Sequence, residues 1–185
     1  MWIDEILLMD MYHMVFAFII YSMLGWLIES IYMSICNKKI TNRGFARSPF
    51  CPIYGFGGVL GYLILHPLET NPVSLYLAGA ILATTFEFLV GKMMLALFGD
   101  LWWDYHDKPY NYKGIICLES SIAWGFYAVI IIAFLHGRIL NFIDRWDFRL
   151  GCLVCCVIMS IVAVDYVVQI RHIRNDREIA DMDVN

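Results

Sequence analysis

Acidic side chains lie inside the apolar stretches of this 185-residue sequence, where an ionisable group is costly. Four such residues occur: Glu29, Glu87, Glu119 and Asp165. In hydrocarbon a carboxylate needs a cation or a hydrogen-bond donor, and it marks a functional site by default. The stretch 102–114, WWDYHDKPYNYKG, is both aromatic and polar and leads towards Glu119. An aromatic belt at a membrane surface explains its tryptophans and tyrosines but not Glu119.

A polar pocket that faces the cytoplasm and binds a ligand's charged group is the interpretation that we favour for these acids. One alternative is a packing network in which Arg43 or Arg47 neutralises Glu29 and Glu119. Another is that some of the charged side chains snorkel to the membrane surface. The predicted ligand-binding residues are Glu29, Asn42, Arg43, Glu87, Trp103, Asp104, Tyr105, Asn111, Glu119 and Ser120.

Motifs of several enzyme classes do not occur in the sequence. It contains no Walker A loop, no GxGxxG, no nucleophile elbow and no histidine pair at metal-ligand spacing. Cys152 and Cys155 have a CxxC spacing, but they lie in an apolar run without a nearby histidine, so we expect them to pack. We therefore expect no cofactor and no metal. An intramembrane enzyme acting on a lipid or prenyl substrate stays an alternative, because apolar surroundings raise a carboxylate's pKa towards values that suit proton transfer.

The composition is that of an integral membrane protein. Hydrophobic residues make up 61% of the chain and the mean hydropathy is +0.65, against roughly 45–50% apolar residues in soluble domains. The formal net charge of -4 is spread over the termini and loops, so no nucleic-acid partner is expected. The first ten residues lack the basic region of a signal peptide, and the first apolar run is expected to be retained. We predict a multi-pass protein of the cell membrane.

Apolar runs of about 20 residues can cross a bilayer. The candidate runs cover about residues 12–36, 52–65, 73–98, 115–136 and 150–170. Lysine and arginine mark the cytoplasmic side, and they gather between the first two runs and after the last. Five crossings, with the N-terminus outside and the C-terminus inside, satisfy that rule. The prediction is an all-α bundle of about five transmembrane helices, with one domain over 1–170 and a short charged cytoplasmic tail over 171–185.

The second run is the weak candidate, because it is short, glycine-rich and begins with Pro52. It could also be a broken or re-entrant segment. Gly57 and Gly61 form a small-xxx-small pair, which predicts close helix packing. Gly55 and Gly58 indicate an irregular start where backbone amides could face an anion.

This topology places the connectors 37–48 and 99–114 on the same cytoplasmic face. At about 1.5 Å per residue, the four acids then lie at similar depth in the inner leaflet. A single bundle of five spans is small for a complete transporter. Besides membrane lipids, we therefore expect a homo-oligomer, or partner membrane and ATPase subunits.

Several uncommon short motifs follow one another in order along the sequence. They are Tyr21-Ser22, Gly25-Trp26, Glu29-Ser30, Asn42-Arg43-Gly44-Phe45, Cys51-Pro52-Ile53-Tyr54-Gly55, Trp103-Asp104-Tyr105, Cys117-Leu118 and Trp124-Gly125. Through these motifs, which span about residues 12–136, the sequence resembles the Putative ABC-transporter type IV (CmpB-like) membrane protein family. The resemblance implies a permease-like subunit that binds a small solute or lipid headgroup, and it carries over no catalytic residues. A structural or regulatory membrane subunit is a further alternative.

Overall fold

The computed structural model describes the backbone of residues 11–184 and the side chains of residues 11–175. The acids of the first ten residues and the side chains of 176–185, which belong to the predicted tail, lie outside this range. The described chain is mainly helical. Its helices are α1 (Met11–Asn37), α2 (Pro52–Leu65), α3 (Pro72–Phe98), α4 (Leu118–Val129), α5 (His136–Ile143) and α6 (Phe148–Val184).

Shorter elements link these helices. A 3-10 turn at His66–Leu68 follows α2, and a π-helix at Ile130–Leu135 joins α4 to α5 without a break. Two antiparallel strands of two residues each, β1 (Asn111–Tyr112) and β2 (Ile116–Cys117), precede α4. Helix α3 is capped at both ends. The Asn71 side chain accepts a hydrogen bond from the Ser74 amide at its N-terminus, and Gly99, with a left-handed φ of 68°, follows its last residue.

Stretches long and apolar enough to cross a membrane cover Met11–Asn37, Pro72–Phe98, Leu118–Ile143 and Phe148–Asn175. Their outer faces carry exposed large apolar side chains such as Ile81, Phe126 and Val164. Such surfaces suit lipid rather than water. The predicted helical membrane bundle is therefore confirmed. The predicted boundary at residue 170 is not marked by a break in the helix, because α6 continues to Val184.

Helix α2 lies tightly against α1 because glycines remove side chains from the contact. A Cβ atom added at Gly55 would stand 2.2 Å from the Ser22 hydroxyl, and one added at Gly58 would stand 2.5 Å from the Tyr21 ring. The predicted pair Gly57 and Gly61 does not make this contact: among the described residues, Gly61 has nothing within 4 Å of its Cβ position. At 14 residues, α2 is about 21 Å long, so its crossing of the membrane stays a prediction.

The two long connectors meet at one end of the bundle. The Phe45 ring lies 4.3 Å from the Trp102 ring and 5.1 Å from the Tyr166 ring of α6. In addition, the Ser48 amide donates a hydrogen bond of 2.7 Å to Asp165. The predicted common face of the connectors is confirmed by these contacts, whereas its cytoplasmic orientation stays a prediction.

Candidate ligand-binding site

Glu29 on α1 is bound by two donors that come from the first connector and from α2. The Arg43 Nε atom donates to one carboxylate oxygen at 3.0 Å, and the Tyr54 hydroxyl donates to the other at 2.8 Å. The Arg43 amide donates to the Ser30 hydroxyl at 3.2 Å, which holds the connector on α1. The Glu29 and Arg43 side chains are 24% and 22% exposed, so the ion pair is largely shielded from solvent.

Glu87 on α3 is buried, with 4% of its surface exposed. Its Oε1 atom accepts from the Tyr105 hydroxyl at 3.0 Å, and its Oε2 atom accepts from the Trp124 indole at 3.0 Å. The Ser120 hydroxyl lies 3.3 Å from Oε2, but it also lies 2.9 Å from the Cys117 carbonyl and has one proton for both. Among the described side chains, no cation forms an ion pair with Glu87.

Tyr105 binds Glu87 and lies within electrostatic range of Glu29. Burial raises the pKa of its phenol above the ordinary value, and the carboxylates of Glu87 and, more weakly, Glu29 raise it further. Tyr105 therefore remains a protonated donor at physiological pH. The rings of Tyr54 and Trp124 are 6.2 Å apart, which joins the two halves on the side of α2 and α4. We call the combined group the acidic cluster: Glu29, Arg43, Tyr54, Glu87, Tyr105, Ser120 and Trp124.

The second connector is folded so that Tyr105 keeps its position. The Tyr105 amide donates to the Gly114 carbonyl at 3.0 Å, and the Trp103 indole donates to the Ile115 carbonyl at 2.7 Å. The Asn111 amide group donates to two carbonyls of the connector, and its oxygen accepts from the Gly114 amide. Gly114 has a φ of +66°, and a Cβ atom there would stand 2.3 Å from the His106 ring.

The N-terminus of α4 positions Ser120 by a cap. The Ser120 amide donates to the Cys117 sulfur at 3.3 Å, and the Ser120 oxygen accepts from the Cys117 amide at the same distance. Trp124 follows four residues later and thus lies on the same face of the helix. Ser120 and Trp124 consequently approach Glu87 together.

Five of the ten predicted site residues belong to the acidic cluster: Glu29, Arg43, Glu87, Tyr105 and Ser120. Trp103 and Asn111 hold the second connector instead. Asn42 accepts from the Trp26 indole at 2.6 Å and from the Gly44 amide at 2.9 Å, which shapes the first connector. Among the side chains described, no group of three His, Cys, Asp or Glu could hold a metal ion.

Asp104 and Glu119 lie on the exposed surface beside the cluster. Asp104 is 71% exposed, and hydrogen bonds from the His106 amide and ring lower its pKa below the ordinary value. Glu119 is 64% exposed and pairs with the Lys108 ammonium at 2.9 Å, which raises the pKa of Lys108. The expectation that a loop arginine neutralises Glu29 is met by Arg43, whereas the partner of Glu119 is Lys108.

Tyr54 and Trp124 are cluster members that sequence reasoning did not select. Both are neutral, and in an apolar run each reads as an ordinary interfacial aromatic residue. The spacing of Trp124 from Ser120 was the available signal, because residues four apart share a helix face. Tyr54 has no comparable signal, since its contact with Glu29 depends on how closely α2 approaches α1.

A groove of about 130 Å³ leads away from the acidic cluster between α2, α3 and α4. Tyr54, Glu87 and Trp124 are among the residues that line it. The rest of its wall is apolar and includes Gly57, Gly61, Ile64, Leu82, Phe86 and Ile131. The surface of the groove is therefore almost wholly apolar.

Comparison with known proteins adds one result. The model of the family described as "Putative ABC-transporter type IV" matches residues 16–170. This range contains the whole acidic cluster and all the stretches that could cross a membrane except the ends of the first and last. No curated protein and no solved structure matches the chain significantly.

Proposed function

The chain belongs to the Putative ABC-transporter type IV family, and from this premise we propose that it is a permease-like subunit of the cell membrane that binds its cargo at the acidic cluster. The cargo is a small solute or a lipid headgroup, and the cluster faces the cytoplasm. The chain contains no nucleotide-binding motif. Transport driven by ATP therefore requires a separate ATPase subunit, and the small bundle is completed by a partner membrane subunit or a second copy.

One observation carries this proposal, namely the burial of Glu87 against neutral donors. A carboxylate that leaves water loses several kcal/mol unless it is paired with a cation. Glu29 has Arg43 for this purpose, but the described residues provide only hydroxyl and indole groups to Glu87. A ligand that brings a positive charge or further donors to Glu87 gains a hydrogen bond to a charged group, worth about 1.5–3 kcal/mol.

The test compares two glutamates of the same chain. Glu87→Gln keeps the shape of the side chain and removes its charge, whereas Glu119→Gln makes the same change at an exposed position. Native mass spectrometry of the gently purified proteins measures the small molecules that each one retains. We expect Glu87→Gln to lower the retained cargo about tenfold or more, which corresponds to about 1.4 kcal/mol, and Glu119→Gln to leave it unchanged.

Equal retention by wild type and Glu87→Gln would contradict the proposal. The same samples also test the enzymatic alternative. Chemical conversion of added lipids by the wild type, abolished in Glu87→Gln, would assign an intramembrane enzyme instead of a permease-like subunit.

A further inference from the structure

The second connector folds back along α3 instead of projecting away from it. The Tyr112 ring of β1 lies 5.9 Å from the ring of Phe88, which precedes the last residue of α3, Phe98, by about 15 Å of helix. The Lys113 ammonium lies 5.6 Å from the centre of the Tyr112 ring, which is the geometry of a cation–π contact. The contact with Phe88 therefore fixes where Lys113 lies along α3.

Lys92 brings a second cation to the same place. It follows Phe88 by four residues, so the two side chains share one face of α3. Because helical side chains lean towards the N-terminus, Lys92 extends over the turn that carries Phe88. Both lysines are exposed, and within residues 11–175 no carboxylate forms an ion pair with Lys92 or Lys113. Two ammonium groups without a counter-charge thus flank the contact of β1 with α3.

The face of α3 that carries Lys92 is mostly apolar and faces outward. Leu89 is 60% exposed and Ile81 is 70% exposed, and both lie within about 60° of Lys92 around the helix axis. The Thr85 hydroxyl on this face donates to the Ile81 carbonyl at 2.7 Å. A lysine that emerges from such a lipid-facing strip extends its ammonium to the level of the headgroups. The lysines then meet phosphates while the strip meets acyl chains.

The charges select an anion, and their surroundings select a lipid. Ammonium groups bind phosphate through charge-assisted hydrogen bonds, and basic groups on the cytoplasmic side of a bundle bind anionic headgroups. The exposed Leu89 within a turn of Lys92 needs hydrocarbon against it, which a soluble anion does not supply. This surface is separate from the acidic cluster, because Glu87 is buried and lies about 140° around α3 from Lys92.

We propose that Lys92 and Lys113 form a binding site for one anionic phospholipid. Its phosphate lies between the two ammonium groups, and one acyl chain follows the apolar face of α3. The Tyr112 ring positions Lys113 for this contact. The lipid ties the second connector to the headgroup layer, so the site goes beyond the cargo site proposed at Glu87.

The experiment compares three lysines of the chain. Lys92→Gln and Lys113→Gln each remove one cation from the site. Lys108→Gln is the matched control, because it makes the same charge change on the second connector at an ammonium that Glu119 already neutralises. Each protein is reconstituted in vesicles of equal parts phosphatidylglycerol and phosphatidylethanolamine with identical chains. Native mass spectrometry then counts the retained lipids.

We expect wild type and Lys108→Gln to retain phosphatidylglycerol over phosphatidylethanolamine by about thirtyfold, which corresponds to about 1 kcal/mol for each lysine of the site. Each single variant should reduce the preference to about fivefold, and the double variant of Lys92 and Lys113 should abolish it. Tyr112→Leu keeps every charge but removes the ring that positions Lys113, so it should act like Lys113→Gln. Circular dichroism melting verifies that each variant is folded.

Four outcomes would overturn the proposal. An equal loss of preference in Lys108→Gln and Lys92→Gln would show general charge attraction instead of a site. A full preference in the double variant, or its loss in Glu87→Gln, would place the lipid elsewhere. Inorganic phosphate supplied without lipid that binds the wild type but not the double variant would assign a soluble anion. Retention of cargo at Glu87 is measured separately, so this site and the proposed function can fail independently.

Discussion

Two buried polar groups of the bundle differ in how their members are held. The acidic cluster takes donors from both connectors as well as from helices. The other group, which we call the histidine cluster, consists of Tyr21, Tyr62 and His136 on three helices. The Tyr21 hydroxyl lies 2.7 Å from His136 Nδ1, the Tyr62 ring stacks on the His136 ring at 3.5 Å, and His136 is 1% exposed.

The two clusters differ in composition and in position, which suggests different roles. The histidine cluster is formed by side chains on rigid helix faces and has no carboxylate among its members. Tyr21 precedes Glu29 by eight residues on α1, a distance of about 12 Å, so the two clusters lie at different depths. The acidic cluster contains two carboxylates, receives donors from loops and opens into a groove. The first arrangement fits a brace between helices, and the second fits the ligand-binding site that we propose.

The largest expected effect is the loss of the cation in the acidic cluster. Arg43→Gln leaves the Glu29 carboxylate with Tyr54 as its remaining described donor. Complete burial would make this cost about 3–5 kcal/mol, and the partial exposure of the pair reduces it to about 2 kcal/mol. Unfolding in a detergent titration measures the change. Lys108→Gln removes the exposed partner of Glu119 and should cost less than about 0.5 kcal/mol, so equal losses would contradict the distinction.

Removing one hydroxyl from each cluster gives a smaller and more direct comparison. Tyr105→Phe deletes a hydrogen bond to a carboxylate, which is worth about 1.5–3 kcal/mol, and should also weaken cargo binding. We expect about 1.5 kcal/mol of lost unfolding free energy, together with lower cargo retention in native mass spectrometry. Unchanged retention would remove Tyr105 from the proposed site.

Tyr21→Phe makes the same chemical change in the histidine cluster. It deletes a hydrogen bond between neutral groups, so the expected loss is about 1 kcal/mol. Cargo retention should stay at the wild-type level, because Tyr21 lies away from Glu87. A fall in retention as large as that of Tyr105→Phe would show that the two clusters act together rather than separately.

The smallest expected signal is the reactivity of Cys51 beside the acidic cluster. Burial, with a further contribution from Glu29, raises the pKa of the Cys51 thiol to about 12. Its reactive thiolate fraction at pH 8 is then about one in ten thousand. Maleimide labelling followed by peptide mass spectrometry should modify the exposed Cys36 and spare Cys51, and unfolding in detergent should make Cys51 reactive. Fast labelling of native Cys51 would show that water reaches the cluster.

Sequence reasoning located the spans because hydrocarbon thickness sets the length of apolar runs. It also singled out Glu29 and Glu87, because a charge in an apolar run stands out, and it named Arg43 of the first connector as a cation that could reach Glu29. The neutral donors Tyr54 and Trp124 were not selected, because their roles depend on helix rotation and close approach; only the spacing of Trp124 from Ser120 pointed to one of them. The π-helix at Ile130–Leu135 was missed for the same reason, since its residues are as apolar as those of an α-helix.

The partners of the His136 side chain could not be predicted from the sequence either. One imidazole in an apolar run has no partner within its own helix, and the residues that receive it, Tyr21 and Tyr62, come from α1 and α2. The exposed pair of Lys108 and Glu119 was likewise unpredictable, because it depends on the fold of the second connector. Residue type thus indicated where polar groups are needed, but not which neighbours supply them.

Helix α6 has a mechanical consequence for anything that approaches the connector end. Its 37 residues make a rod of about 55 Å, whereas the hydrocarbon layer is about 30 Å thick. Asp165 ties this rod to the first connector, so the excess length projects past the headgroups on that side. A water-soluble protein that binds at this end would contact the helical extension first. The length of the extension would then set the distance between that protein and the bilayer surface.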